Sequence, residues 1–155
     1  GQEKLQAKLL DGPVLARGDF GVPLTPGGTA YTVCICDDAE VLVGRLHVER
    51  AGRACGRRAC WKAGGSVYRY KDKDATADGV KIIELRSGSG GSKILLAGAN
   101  DAAKGQTSLP TGIAAALAGS SRATVQVFAT FAPQCFSATL GTITRNDGVV
   151  FQAKK

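Results

Sequence analysis

Apolar and polar residues alternate over many short stretches of the chain. Near its start, Leu5, Ala7 and Leu9 alternate with lysine and glutamine. A period of two is typical of a strand with one buried face, and a short amphipathic helix is the alternative for this stretch. Further stretches that predict strands lie at residues 29–36, 40–49, 66–71, 80–87, 92–98, 122–131, 134–140 and 149–154.

Short turn sequences separate these stretches. Residues 36–39 (CDDA), 88–91 (GSGG) and 146–148 (NDG) each suit a hairpin connection, because Gly, Asn and Asp tolerate the backbone angles of tight turns. Residues 100–121 are irregular and contain an alanine-rich run, for which we expect a loop with one or two helical turns.

About ten short strands with little helix predict an all-β fold, an antiparallel β-sandwich of jelly-roll or immunoglobulin-like type, with a partly closed barrel as the competing architecture. No boundary divides the chain, so residues 1–155 form one predicted domain. Within it, residues 1–12 are predicted to be an edge strand, or a donor strand for the sheet of a neighbouring copy.

The chain contains five cysteines and no methionine, and both facts bear on its cellular compartment. Because the sequence begins with Gly1, we expect that a secretory signal has been removed or that an upstream region is missing. An exported chain predicts paired cysteines. No stretch approaches the roughly 18 apolar residues of a membrane helix, so no membrane span is expected.

The net charge of +7 permits an acidic partner. The lysines and arginines recur singly, and stacking aromatics do not alternate with them, so nucleic acid is not favoured. His47 is the only histidine, and no serine or cysteine partner for it is identifiable by spacing, so a catalytic triad is not favoured. We therefore expect a protein that is not an enzyme and that uses no cofactor.

Several sequence blocks occur in a fixed order after Thr32: C-x4-C-W-K, Y-x-Y-K-D-K, a glycine-rich hairpin, K-I-L-x-x-G-A-N, C-F-x-A and F-x-A-K. In these blocks the chain resembles a family of uncharacterised β-rich modules found in large secreted and surface proteins of bacteria. The resemblance implies export, a β fold and a role in the cell envelope. Cys36 stands where such modules have an aromatic residue, and residues 101–121 are longer than usual.

Four cysteines suggest two disulfides. A spacer of four residues lets Cys55 and Cys60 close a small ring, which is either a simple loop staple or a clip that presents Arg57 and Arg58. Cys34 and Cys36 share a strand face, so only one of them can readily pair with Cys135. We predict the pair Cys34–Cys135.

That pairing leaves Cys36 as a free thiol, an intermolecular bridge or a metal ligand. A zinc site lacks the expected paired spacing. Asp72, Asp74 and Asp78 have the alternate spacing of calcium ligands, but no acidic residue closes the loop, and an Asp-rich turn is the simpler interpretation. No metal is predicted.

Two functions follow as hypotheses. The first is a structural subunit of an extracellular surface assembly or filament, which self-associates through edge strands. The second is a binding or adhesion module for polysaccharide or another anionic surface. It would use Arg57 and Arg58 together with a stacking platform of Trp61, Tyr68 and Tyr70, although aromatics in strands more commonly serve as packing.

Overall fold

Strands dominate the structure, a computed structural model that describes residues 2–132 and 135–155. Helix is confined to α1 (Ile113–Ala116) and to single 3-10 turns at Arg17–Phe20 and Ala102–Lys104. In chain order the strands are β1 (Lys4–Leu9), β2 (Tyr31–Cys36), β3 (Leu42–Val48), β4 (Ala54–Cys55), β5 (Arg58–Ala59), β6 (Trp61–Gly64), β7 (Val67–Lys71), β8 (Val80–Arg86), β9 (Lys93–Ala99), β10 (Ala123–Ala129), β11 (Cys135–Leu140), β12 (Thr142–Asn146) and β13 (Val150–Lys154).

These strands form two larger sheets and one small hairpin. The seven-stranded sheet has the order β12-β13-β1-β9-β8-β7-β6, and the four-stranded sheet has the order β11-β10-β2-β3. The hairpin consists of β4 and β5. Neighbouring strands run antiparallel except β1 and β13, which are parallel. The predicted all-β, largely antiparallel fold is confirmed.

One apolar core lies between the two sheets. Because side chains alternate along a strand, each sheet contributes every second residue to it. The seven-stranded sheet supplies Leu5, Ala7 and Leu9, for example, and the four-stranded sheet supplies Val33 and Ile35. The largest fully buried side chains are Tyr31, Tyr70, Phe20, Phe151, Ile35, Leu46, Ile83, Leu85, Leu96, Leu109, Ile113 and Leu117.

The prediction that residues 1–12 form an edge strand is wrong for this structure, and their role as a donor strand for a neighbouring copy stays a prediction. β1 lies inside the seven-stranded sheet, where it pairs with β13 on one side and β9 on the other. The alternation of Leu5, Ala7 and Leu9 identifies a half-buried strand, but it carries no information about how many neighbours that strand has.

The predicted hairpins form. β2 and β3 pair across residues 37–41, β8 and β9 across the glycine-rich segment, and β12 and β13 across the segment that contains Gly148. In the last turn Asp147 accepts hydrogen bonds from the backbone N–H groups of Val150 and Val149 and from Arg145 Nε. These bonds favour the charged carboxylate and lower the pKa of Asp147 to about 2.

Residues 101–121 contain the expected short helix and pack against the sandwich. Leu109, Ile113 and Leu117 are fully buried. Ile113 lies on Gly44 of β3, where a Cβ would come within 2.8 Å of the isoleucine Cδ1 atom. The Glu3 carboxylate accepts backbone N–H groups of Gly112 and Ala114 at the start of α1. This segment therefore covers apolar surface of the core.

Candidate functional site

The β4–β5 hairpin is a disulfide-closed clip at one end of the seven-stranded sheet. Cys55 and Cys60 are bonded, with their Cα atoms 4.8 Å apart, as predicted. Gly56 has a φ of +65°, which a two-residue hairpin turn requires at its first central position and which glycine adopts without strain. The turn leaves Arg57 and Arg58 exposed.

A groove of 810 Å³ lies beside the clip and is strongly basic. Strand β6 contributes Lys62 and strand β7 contributes Arg69 and Lys71, because these side chains alternate with the buried aromatic residues of the same strands. The lining residues are Cys55, Gly56, Arg57, Arg58, Ala59, Cys60, Lys62, Arg69, Lys71, Lys73 and Asp74. Among these described residues, only Asp74 carries a negative charge.

Glu84 on β8 borders the groove and holds one of its arginines. Arg69 Nε donates to Glu84 Oε1 at 2.8 Å, and Arg86 Nη2 lies 3.8 Å from Glu84 Oε2. Both arginines are about half exposed, so the ion pairs are screened and orient the guanidinium groups more than they stabilise the fold. A guanidinium group has five N–H donors, and the bond to Glu84 uses one of those of Arg69.

The predicted aromatic platform is wrong. Trp61, Tyr68 and Tyr70 are 3%, 5% and 0% exposed and lie in the core. Trp61 packs between two tyrosines, with ring centroids 5.0 Å from Tyr31 and 5.2 Å from Tyr70. The commoner interpretation of such aromatics, packing, is confirmed. Of the proposed binding residues, Arg57 and Arg58 are accessible, and the three aromatics are not.

The predicted pair Cys34–Cys135 does not form, and both residues are free thiols. Cys34 on β2 pairs in register with Gln126 of β10, whereas Cys135 on β11 pairs with Phe128 of β10. The central strand β10 therefore separates the two cysteines, and two strand spacings of about 4.8 Å exceed the Cα separation that a disulfide spans. Sequence spacing cannot reveal that a strand is inserted between two others.

Cys36 also makes no disulfide within the chain, and the intermolecular bridge that the sequence left open stays a prediction. It lies on the outer face of the four-stranded sheet with Cys34 and Cys135. Burial, helped by Glu40, Cys34 and Asp37, raises the pKa of Cys36, and burial together with Cys34 raises that of Cys135. At neutral pH these two thiols are therefore protonated and weakly nucleophilic.

The calcium candidate is a self-contained loop. Burial opposes ionisation of Asp72, but hydrogen bonds from the side chain and backbone of Thr76, the backbone of Asp74 and the Tyr70 hydroxyl outweigh it and lower the Asp72 pKa. Asp78 accepts the backbone N–H of His47 at 2.7 Å. Within the part of the chain that the structure describes, no three metal-ligating side chains converge. The Asp-rich turn interpretation therefore accounts for these residues.

Sequence reasoning missed the contribution of Lys62, Arg69, Lys71 and Lys73 to the groove. Along the chain they occur singly, and the fold brings them together because β6 and β7 are paired, with Lys62 opposite Arg69. The period of two along Val67–Lys71 was the available signal, since it places Arg69 and Lys71 on one strand face.

No family model, no curated protein and no solved structure matches this chain. In the described residues no helix is long and apolar enough to cross a bilayer. The candidate site therefore rests on its own geometry and charge.

Proposed function

We propose that the protein is an extracellular module that binds an anionic polysaccharide or another anionic surface through the basic groove. The observation that carries this proposal is the convergence of Arg57, Arg58, Lys62, Arg69, Lys71 and Lys73 on one groove. Clustered like charges destabilise a fold by repulsion, so a groove lined with them is better explained by a ligand of opposite charge than by solubility.

The chemistry of the groove suits oxyanions. Arginine presents a planar fork of donors that matches carboxylate and sulfate groups, and lysine adds mobile point charges. The disulfide holds the clip that carries Arg57 and Arg58, so these donors are partly ordered before a ligand arrives. Because the charges are exposed, binding should be strong at low salt and should weaken within physiological ionic strength.

Compartment and resemblance favour the same proposal. A disulfide in a small exposed hairpin persists in an oxidising environment. The ordered blocks that resemble bacterial surface modules include the clip and the strands that line the groove. A module that holds its parent protein on acidic polymers of a cell surface fits both observations.

The test is retention on an immobilised sulfated polysaccharide, heparin, eluted with a salt gradient. We expect the wild-type protein to bind at low salt and the variant R57Q/R58Q/K62Q to elute at clearly lower salt. The matched control, R45Q/K104Q/R122Q, removes the same number of exposed charges outside the groove. Equal elution of the two variants would show that net charge, and not the groove, causes retention.

A structural subunit of a surface assembly is the second candidate. The observation that favours it is that β3 and β11 are the edges of the four-stranded sheet and have no further strand beside them in the described part of the chain, because an open edge can add a strand from another copy. Val41, which precedes β3, and Leu42, its first residue, are 57% and 55% exposed. Size measurement of wild type and of V41K/L42K tests this candidate, and a monomeric wild type at high concentration would refute it.

A further inference from the structure

The outer face of the seven-stranded sheet contains a row of residues that crosses the strands. The strand registers place Lys62 opposite Arg69, Arg69 opposite Glu84, and Glu84 opposite Leu95. The row continues through Lys8 to Lys154 on β13. We call these six residues the cross-strand row: Lys62, Arg69, Glu84, Leu95, Lys8 and Lys154.

The cross-strand row is cationic at both ends. Lys62 and Arg69 lie at the clip end, and Lys8 and Lys154 lie at the far end. Arg86 and Lys93 lie opposite each other beside the middle of the row, Arg86 two residues after Glu84 on β8 and Lys93 two residues before Leu95 on β9. Across five strand intervals the row spans about 24 Å, with neighbouring positions about 4.8 Å apart.

A small apolar strip lies at the middle of this face. Ile82 and Ala97 are directly opposed across β8 and β9, Leu95 lies beside them, and all three are half-buried. A sugar ring offers a C–H face to such a strip while its acidic substituents reach the flanking cations. The distance between strands is close to the length of one sugar residue in an extended chain.

We propose that a linear acidic polysaccharide lies across the strands, with one end in the groove at the clip and its length along the cross-strand row. The inference rests on the anion binding proposed above and names its ligand as a polymer. Lys62 and Arg69 belong to both the groove and the row, so the two surfaces are continuous. A compact anion would need the groove alone, and a base-stacking polymer would need exposed aromatics, which this face lacks in the described strands.

The test measures the affinity of the full protein for a length series of heparin-derived oligosaccharides, from tetrasaccharide to dodecasaccharide. Affinity should rise with length until the chain spans the row and should then level off, because only a chain that starts in the groove and crosses Glu84 and Leu95 reaches the far-end cations Lys8 and Lys154. An affinity that does not depend on length, after correction for the number of binding positions, would overturn the proposal.

Variants separate the row from the groove. The far-end variant K8Q/K154Q should lose at least fivefold in affinity for the dodecasaccharide and keep the wild-type affinity for the tetrasaccharide. The matched control R45Q/R122Q should change neither affinity. All the substituted side chains are at least partly exposed, so each variant should fold like wild type. The fluorescence of Trp61, the only tryptophan, checks that each variant is folded.

The failures are distinguishable. If K8Q/K154Q binds the dodecasaccharide like wild type while R57Q/R58Q/K62Q is weakened, the row proposal fails and the groove function stands. If wild type binds neither the oligosaccharides nor vesicles of anionic lipid at low salt, both proposals fail. If wild type binds vesicles of anionic lipid and no oligosaccharide, the ligand is a membrane surface and the polysaccharide is excluded.

Discussion

The two sheets share one core and present opposite chemistry to solvent. The outer face of the seven-stranded sheet carries Lys4, Lys8, Lys62, Arg69, Lys71, Arg86, Lys93 and Lys154, with Glu84 between them. The outer face of the four-stranded sheet carries mainly neutral residues: Thr32, Cys34, Cys36, Thr124, Gln126, Phe128, Cys135, Ser137 and Thr139.

Solubility alone does not explain this difference, because a purely solubilising charge would be distributed over both faces. On the four-stranded sheet, the described outward positions include one arginine, Arg45, no lysine, and the histidine His47. The positive charge is therefore concentrated on the outer face of the seven-stranded sheet. The outer face of the four-stranded sheet serves as a control surface in experiments on this cationic face.

Charge reversal on the cationic face should have the largest effect on the affinity for heparin. The variant K62E/K71E places acidic groups in the groove and should lower the affinity for heparin by about a hundredfold, because like charges then oppose the ligand. R45E on the other sheet should change the affinity by less than about twofold. Titration at fixed low salt checks both, and a similar loss in both variants would contradict a directional site.

Removal of the clip disulfide is the next largest expected change. In C55S/C60S the loss of a short closed loop should lower the free energy of unfolding by about 2 kcal/mol and should weaken heparin binding, because Arg57 and Arg58 lose their fixed hairpin. C34S on the four-stranded sheet should alter stability by less than about 1 kcal/mol, since Cys34 is unpaired and half-buried. Urea unfolding followed by Trp61 fluorescence measures both.

The Asp72 carboxylate, in the loop that follows β7, should stabilise the fold at neutral pH and less so in acid. D72N removes the carboxylate that accepts hydrogen bonds from Asp74, Thr76 and Tyr70 and should cost about 1–3 kcal/mol at neutral pH. Because folding lowers the pKa of Asp72, its contribution is complete above the unfolded-state pKa of about 4 and is lost as the pH falls through the folded-state value. The Tm difference between wild type and D72N should therefore narrow in acid, and a constant difference would refute this origin.

The smallest expected effect on heparin affinity comes from removing the negative charge of Glu84 from the cross-strand row. E84Q removes the acidic residue among the row positions and should raise heparin affinity by about twofold to threefold, because one repulsive charge near the ligand disappears. The gain is limited, since Arg69 also loses the partner that orients it. Calorimetric titration beside wild type measures the change. A marked fall in affinity would mean that Glu84 acts mainly by positioning Arg69.

Most of the fold was predictable from local pattern. The alternation in Leu5, Ala7 and Leu9 and the glycine-rich hairpin between β8 and β9 gave strands and turns that the structure contains. Strand order was not predictable, because it depends on contacts between distant segments. That is why β1 was expected at an edge and Cys34 was expected to reach Cys135.

The site was predictable only in part. Four residues between Cys55 and Cys60 predict a closed ring, because short loops restrict the separation of their ends. The exposure of an aromatic residue, in contrast, depends on which face of its strand meets the core. Tyr68 and Tyr70 lie on the inner face, and that same choice turns Arg69 and Lys71 outward.

The most direct test of the central claim is a map of backbone amide chemical shifts during titration with a sulfated dodecasaccharide. We expect the changes to concentrate in the β4–β5 clip and in β6, β7, β8, β9, β1 and β13, with β2, β3, β10 and β11 unaffected. Changes concentrated in the four-stranded sheet, or spread evenly over both sheets, would contradict the account.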